Sequence, residues 1–271
     1  MKLREALGYV RRRVRLILLV SLVLFLAAWS FLYWPFLYHP LGLRPMPCAD
    51  ASPIALEEPV LFIGDLHVTS DDDGRRFENL RAFITDGGVG SLVILGDLFD
   101  TPGDYYALEK NEEGELGSAK ALMHILGLEG LRLNAYVVWG GIHDPNDLQL
   151  EVSYDGITLQ TLGTCARIGI GEVQVWALHG HEVFGGVDGF IASILAGKPY
   201  LEGVWKDLTK LPEGLWIIAA HSHVPGLNTE ARVANTGGWT RAPLMQPATG
   251  KGILVKDGTV RLVSVTEGDL F

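Results

Sequence analysis

Cysteine is scarce in this chain, because Cys48 and Cys165 are the only two among 271 residues. Two cysteines cannot build a disulfide-dense secreted scaffold, a zinc finger or an iron–sulfur centre, which excludes these classes of protein. They can form at most one bridge, and we do not expect it. The chain lacks a G-x-S-x-G motif, and no P-loop or G-x-G-x-x-G motif follows a strand pattern. These absences argue against serine hydrolases of the α/β type and the common nucleotide-binding folds.

Basic residues are also few outside the amino terminus. Six lysines and arginines against Glu5 give residues 1–40 a charge of +5, so the net charge of −10 leaves −15 for residues 41–271. An acidic body repels phosphate backbones, and we therefore expect no nucleic-acid partner.

Residues 16–38 form a run of 23 residues without a formal charge. At about 1.5 Å per residue, such a helix crosses a hydrocarbon core of ~30 Å. We expect an uncleaved transmembrane helix. The alternative is a cleaved signal peptide, for which Ala27 and Ala28 offer a weak site.

The flanks of this run predict its orientation and the domain boundaries. Basic residues make 1–15 a cytoplasmic flank, which places the catalytic part outside the cytoplasm on a single-pass cell-membrane anchor. Four prolines indicate a linker over residues 39–58. Residues 59–271 then form the folded domain.

Short β-rich apolar runs alternate with helical patterns along this domain, which predicts an α/β architecture. Asp257 and Gly258 stand between two alternating runs and predict a type I′ hairpin, so the sheet system should be mixed. Each apolar run ends in a polar cluster. Six of the eight histidines lie in these clusters: His67, His143, His179, His181, His221 and His223. Imidazoles together with carboxylates suit Mn, Fe, Co or Zn ions.

The polar clusters are, in chain order, G-D-L-H at 64–67, G-D-L-F-D at 96–100, G-G-I-H-D at 140–144, H-G-H at 179–181 and H-S-H at 221–223. This series resembles the calcineurin-like metallophosphoesterase superfamily, whose pattern is D-x-H, G-D-x-x-D, G-N-H-D/E, H and G-H-x-H, and four of the five motifs match. The resemblance implies a metallophosphatase fold, a four-layer α/β sandwich of two mixed sheets flanked by helices.

The resemblance also implies a site with two divalent metal ions. Asp65, His67 and His223 would hold one ion and His179 and His221 the other, with Asp97 bridging. His143 would protonate the leaving group and Asp144 would orient its ring, with Asp100 as a support. Two ions that share a carboxylate lower the pKa of a bridging water, which becomes the attacking hydroxide. His181 either lines the pocket or is a hydrogen-bonded loop histidine.

The chain departs from the family at Ile142, where the pattern has an asparagine that ligates the second ion. Isoleucine has no donor atom. We interpret Ile142 as a continuation of the apolar strand, with water as the replacement ligand. The expected function is a membrane-anchored phosphoesterase that acts on a phosphomonoester, a phosphodiester or a pyrophosphate, on a small molecule or a lipid-linked substrate. The alternative is a catalytically weak or inactive binding module of the same fold.

Overall fold

The structure is a computed structural model, and it describes residues 14, 17–24, 41–111, 114–145, 150–184, 195, 199–240 and 249–266. The predicted flank 1–15 and span 16–38 lie mostly outside these residues, although 17–24 are helical. Within the described part, no helix is long and apolar enough to cross a membrane. The anchor therefore stays a prediction from the sequence.

The described strands are, in chain order, β1 (Pro53–Leu56), β2 (Val60–Ile63), β3 (Ser91–Leu95), β4 (Leu133–Val138), β5 (Glu151–Tyr154), β6 (Ile157–Thr161), β7 (Cys165–Ile170), β8 (Val173–Leu178), β9 (Leu215–Ala219), β10 (Gly226–Asn228), β11 (Val233–Asn235), β12 (Lys251–Lys256) and β13 (Thr259–Ser264). The described helices are α1 (Glu78–Gly87), α2 (Pro102–Asn111), α3 (Gly114–Ile125), α4 (His181–Phe184) and α5 (Tyr200–Thr209), with a 3-10 turn at Arg75–Phe77. Each metal-type motif follows a strand, as the sequence predicts.

The strands form two mixed sheets, which confirms the expected α/β class. One sheet has the order β13-β12-β2-β3-β4-β6-β5, with β2, β3, β4 and β6 parallel. The other has the order β1-β7-β8-β9-β11-β10, with β8, β9 and β11 parallel. Strands β12 and β13 form the predicted hairpin, in which Asp257 and Gly258 have the positive φ values, 51° and 67°, of a type I′ turn.

Alternating side chains of the central strands separate two apolar layers. In β2, Val60 and Phe62 pack between the two sheets, whereas Leu61 and Ile63 pack against the helices on the outer face. Trp205 of α5 is buried against the outer face of the other sheet. Full burial of one such side chain contributes about 1.5–3 kcal/mol. The layers therefore run helix, sheet, sheet, helix.

The predicted linker 39–58 is partly folded, so the predicted domain boundary at residue 59 is wrong. Strand β1 pairs in parallel with β7, and Cys48 forms a disulfide with Cys165 at the start of β7. This bridge, which we did not expect, joins residues 117 positions apart. A crosslink that closes so long a loop restricts the unfolded chain and stabilises the fold by about 2–4 kcal/mol.

Candidate metal centre

Side chains from four loops meet at the carboxyl ends of strands from both sheets. Adjacent parallel strands end at the same edge, so residues far apart in the chain become neighbours there. The residues after β2, β3, β8 and β9 that meet at this edge are Asp65, His67, Asp97, His179, His221 and His223. The structure thus brings together all six predicted metal ligands, in two groups of three.

The backbone at these positions is strained. Five of the six residues are in the left-handed region, with φ of 52° at Asp65, 47° at His67, 45° at Asp97, 66° at His221 and 53° at His223. This conformation costs a residue with a Cβ about 1–2 kcal/mol and persists only where the surroundings fix it. Strain at the ligand positions is typical of a functional site.

Neighbouring loops fix these conformations. The backbone N–H of Asp65 donates to the carbonyl of Gly96, and that of His67 donates to the carbonyl of Asp97. The loop after β4 approaches so closely that a Cβ on Gly140 would collide with the backbone nitrogen of Asp97. The glycine is therefore required by the close packing of the loops that carry the site.

The first group consists of Asp65, His67 and His223, whose donor atoms lie within 4.8 Å of one another. All three side chains are buried. Nε2 of His223 lies 3.7 Å from Oδ1 of Asp65. Donor atoms at 2.0–2.2 Å from one ion are roughly 3–3.5 Å apart. The observed spacing is slightly wider, so these two side chains would move only slightly toward each other to bind one ion.

The second group consists of Asp97, His179 and His221, again with donor atoms within 4.8 Å. Nδ1 of His179 donates to the carbonyl of Leu95 at 2.8 Å, which turns Nε2 toward the group. This Nε2 lies 3.4 Å from Oδ2 of Asp97 and 3.2 Å from Nδ1 of His221. The same Oδ2 lies 3.7 Å from Nε2 of His67 in the first group. Asp97 therefore stands between the two groups, where a bridging ligand would be.

Several potential metal-donor atoms at this site are buried and have no hydrogen-bond partner within the described part of the chain. They are both carboxylate oxygens of Asp65, both ring nitrogens of His67 and Oδ1 of Asp97. A buried polar group left unpaired costs about 1–3 kcal/mol. Divalent ions would satisfy these atoms, and mixed nitrogen and oxygen donors suit Mn, Fe, Co or Zn. The residues present therefore fit the two-ion group that the resemblance implies.

The charges of the site also suit cations. Burial lowers the pKa of His67 and of His223 to about 4, so both imidazoles are neutral near pH 7. Burial opposes protonation of His179 as well, but the carboxylates of Asp97 and Asp65 raise its pKa to about 10. Burial raises the pKa of Asp65 well above its usual range. A bound cation supplies the positive charge that a proton on His179 otherwise supplies, so binding should release that proton.

The predicted catalytic pair does not interact as predicted. Nδ1 of His143 donates to the backbone carbonyl of Asp100 at 2.6 Å, and the His143 ring lies edge-on to His67 with 4.8 Å between ring centres. The carboxylate of Asp144 instead accepts the backbone N–H groups of Leu98 and Phe99 through Oδ1 and that of Gly140 through Oδ2. The prediction that Asp144 orients His143 is therefore wrong.

Asp144 ties the loop that carries Asp97 to the loop that carries His143. Its side chain is buried, and burial raises its pKa to about 6. Asp100, the predicted support, has its carboxylate 3.4 Å from Nδ1 of His67. His67, Asp100 and His143 form a third set of donor atoms within 4.8 Å. The support of His143 thus comes from a backbone carbonyl, a partner that residue types alone cannot reveal.

Ile142 lies outside the strand and is exposed. Strand β4 ends at Val138, and the Ile142 side chain is 85% exposed. The interpretation that Ile142 continues an apolar strand is therefore wrong. Because the side chain is in solvent, replacing it forfeits almost no apolar burial.

Other residues near the site have different roles from those suggested by their types. His181 is half-buried next to His179, with 5.5 Å between ring centres, and packs edge-on against Trp139. Asp72 is not a freely solvated acidic residue, because its carboxylate pairs with Arg76. Nη2 of Arg76 also donates to the carbonyl of His67 at 2.6 Å. The i, i+4 spacing of Asp72 and Arg76 in the sequence is the pattern that could have predicted this ion pair.

No family model matches the chain, and no curated protein matches its sequence. Among solved structures, a phosphoesterase from E. coli named Yfce aligns at 13% identity with a TM-score of 0.42, covering 77% of this chain and 94% of that one. A structure described as a novel archaeal phosphodiesterase aligns at 12% identity with a TM-score of 0.41, covering 76% of this chain and 98% of that one.

Proposed function

We propose that this chain is a calcineurin-like metallophosphoesterase, a divalent-metal-dependent hydrolase of a phosphomonoester, a phosphodiester or a pyrophosphate. The observation that carries the proposal is the convergence of six ligand-type residues from four loops, in two groups that share Asp97. A cluster held only for stability would not leave both oxygens of Asp65 buried without a hydrogen-bond partner among the residues that the structure describes.

The proposed ligands divide into two sets with one shared member. Asp65, His67 and His223 would hold one ion, and His179 with His221 would hold the other. Asp97 would bridge, because its Oδ2 faces a histidine of each set. Two such ions withdraw charge from a phosphoryl group and lower the pKa of water, which is the chemistry that they supply when bound.

The chain itself supplies the proton for the leaving group through His143. Because Nδ1 donates to the carbonyl of Asp100, Nε2 is the ring atom left to give up a proton. The edge-on contact with His67 places this ring beside the first ion group. General-acid catalysis of this kind contributes about 10²–10⁴-fold.

The alternative function, a weak or inactive binding module, is favoured by one residue. Ile142 replaces the asparagine that the resembling family uses as a ligand, and its exposed side chain offers no donor. The complete set of the other six ligand positions and the fixed His143 ring favour the enzyme.

The membrane location and the substrate also belong to this proposal. The apolar run at 16–38 would anchor the chain with its amino terminus in the cytoplasm, and the substrate would be a phosphorylated small molecule or a lipid-linked phosphate near the surface. The disulfide between Cys48 and Cys165 supports the non-cytoplasmic side, because such bonds persist in oxidising compartments. Protease added to intact cells should digest the domain; digestion only after lysis would contradict this orientation.

The activity is tested with the full-length protein in detergent. Metal-stripped protein should hydrolyse an aryl phosphate or an aryl phosphodiester only after Mn, Zn, Co or Fe is added, and chelator should abolish the turnover. Asp97→Asn should remove this activity, whereas His124→Ala, on an exposed side chain, should not change it. Metal-independent turnover, or none with any of the four ions, would contradict the enzymatic proposal.

A further inference from the structure

The second ion group has fewer protein donors than the resemblance implies. Asp97, His179 and His221 form this group, and the position that should add a fourth donor is the exposed Ile142. Water could replace this donor. The imidazole of His181, to which the resemblance assigns no role, could also replace it, and the surroundings of His181 favour this second replacement.

The loop that should carry the missing donor packs directly on the ring of His181. A Cβ on Gly141 would lie 2.9 Å from Nε2 of His181 and 3.0 Å from both Cδ2 and Cε1. Gly141 also has a φ of 91°, which residues with a Cβ rarely adopt. The backbone next to Ile142 is therefore shaped around this imidazole.

His181, whose ring lies next to that of His179, has a ring nitrogen without a partner in the part of the chain that the structure describes. Its Nδ1 is buried and has no hydrogen-bond partner among the described residues. A buried polar atom without a partner is uncommon in native proteins and calls for an occupant. Nε2 lies against the backbone of Gly141, so Nδ1 is the atom that can take a ligand.

The spacing of the rings is compatible with one shared ion. An imidazole nitrogen binds a metal at 2.0–2.1 Å, which places the ring centre about 3.2 Å from the ion and two such centres at most about 6.4 Å apart. The ring centre of His181 lies 5.5 Å from that of His179 and 6.5 Å from that of His221. The first distance is inside this limit and the second is slightly beyond it, so His181 must move toward His221 before all three rings can share one ion.

We propose that His181 is a fourth protein ligand of the ion held by Asp97, His179 and His221, in place of the asparagine that Ile142 replaces. The inference depends on the proposed function, because it assumes that an ion binds there. It gives the chain a histidine where the resembling family has an amide, and it makes water unnecessary as the replacement donor.

The test is a titration of the metal-stripped full-length protein with Co²⁺, followed by visible absorption and by bound metal per chain. We expect the wild type to bind two ions. His181→Phe keeps an aromatic ring against Gly141 but removes the donor. It should weaken one of the two ions by at least about tenfold, leave the other unchanged and alter the absorption of the weakened site.

Two further variants separate ligation from packing. Ile142→Asn in the His181→Phe background should restore the affinity of the weakened ion, whereas His124→Ala should change neither ion. Thermal unfolding of the metal-free forms checks that each variant is folded. If His181→Phe misfolds, the same titration of His181→Ala replaces it.

The outcomes distinguish this inference from the function on which it depends. Two ions bound equally well by the wild type and by His181→Phe would overturn the role of His181 while leaving the two-ion site intact. Loss of both ions equally in the folded variant would also overturn it. No Co²⁺ bound by the wild type would overturn the proposed function and this inference together.

Discussion

Glu202 should make the stability of the domain depend on pH. This residue of α5 is buried, and its Oε1 accepts a hydrogen bond from Nδ2 of Asn235 at 2.9 Å. Asn235 also donates to the carbonyl of Ala220, next to His221. Burial raises the pKa of Glu202 from 4.5 to about 7. We predict that Glu202→Gln removes a pH-dependent contribution to the free energy of unfolding.

The size of the effect follows from the shift. Because the folded state holds its proton more tightly, the contribution of Glu202 is fully present below pH 4.5 and is lost as the pH rises through about 7. Each unit of pKa difference corresponds to 1.36 kcal/mol, so the loss over this window is about 3 kcal/mol. Glutamine keeps an acceptor for Asn235 but cannot ionise.

The assay is urea unfolding of metal-free wild type and Glu202→Gln at half-unit steps from pH 4.5 to 8. The variant should gain stability relative to the wild type by about 3 kcal/mol across this range. Glu230→Gln, an exposed control, should follow the wild type. A constant difference between wild type and Glu202→Gln at every pH would refute the assignment of a raised pKa to Glu202.

Three further predictions concern the site. Asp97→Asn should lower turnover more than Asp100→Asn, for which we expect about 10–100-fold, because a bridging carboxylate touches both ions; equal losses in steady-state assays would contradict the bridge. His143→Ala should lose about 10²–10⁴-fold on an alkyl phosphoester and distinctly less on an aryl one, because nitrophenolate leaves without a proton; the same loss on both substrates would remove His143 as general acid. Ile142→Ala should change the free energy of unfolding by less than about 0.5 kcal/mol, because its side chain is exposed; a larger loss in urea unfolding would mean that Ile142 packs.

The strand ends could be predicted from the sequence because the pattern is local. The apolar run of residues 91–95 is followed by Gly96 and then Asp97, and parallel strands bring such residues to one edge of the sheet. This regularity predicts the α/β class and the polar strand ends, whereas the two sheets and the set of six ligand positions are what the family resemblance implies. The roles of these residues as ligands remain predictions.

Long-range and backbone features could not be predicted in the same way. The Cys48–Cys165 bridge joins residues 117 positions apart, and spacing alone does not show that β1 brings them together. The hydrogen bond from His143 goes to a backbone carbonyl, which carries no signal in residue type. The family resemblance implies that Asp144 orients the ring of His143, whereas its carboxylate accepts hydrogen bonds from three backbone N–H groups of the neighbouring loops.

His181 and Ile142 show the same limit at single residues. An apolar residue after an apolar strand suggests burial, but the chain leaves β4 at Val138 and exposes Ile142. Because β8 ends at Leu178, no strand periodicity predicts which way the side chain of His181 points. The structure shows that its ring packs on Gly141 and lies next to the ring of His179.

Anomalous diffraction from crystals grown with Mn²⁺ tests the two-ion site most directly. We predict two anomalous peaks about 3.5–4 Å apart. One peak should lie among Asp65, His67 and His223, and the other beside His179 and His221, with a carboxylate oxygen of Asp97 between them. A single peak, or peaks away from the carboxyl ends of β2, β3, β8 and β9, would contradict it.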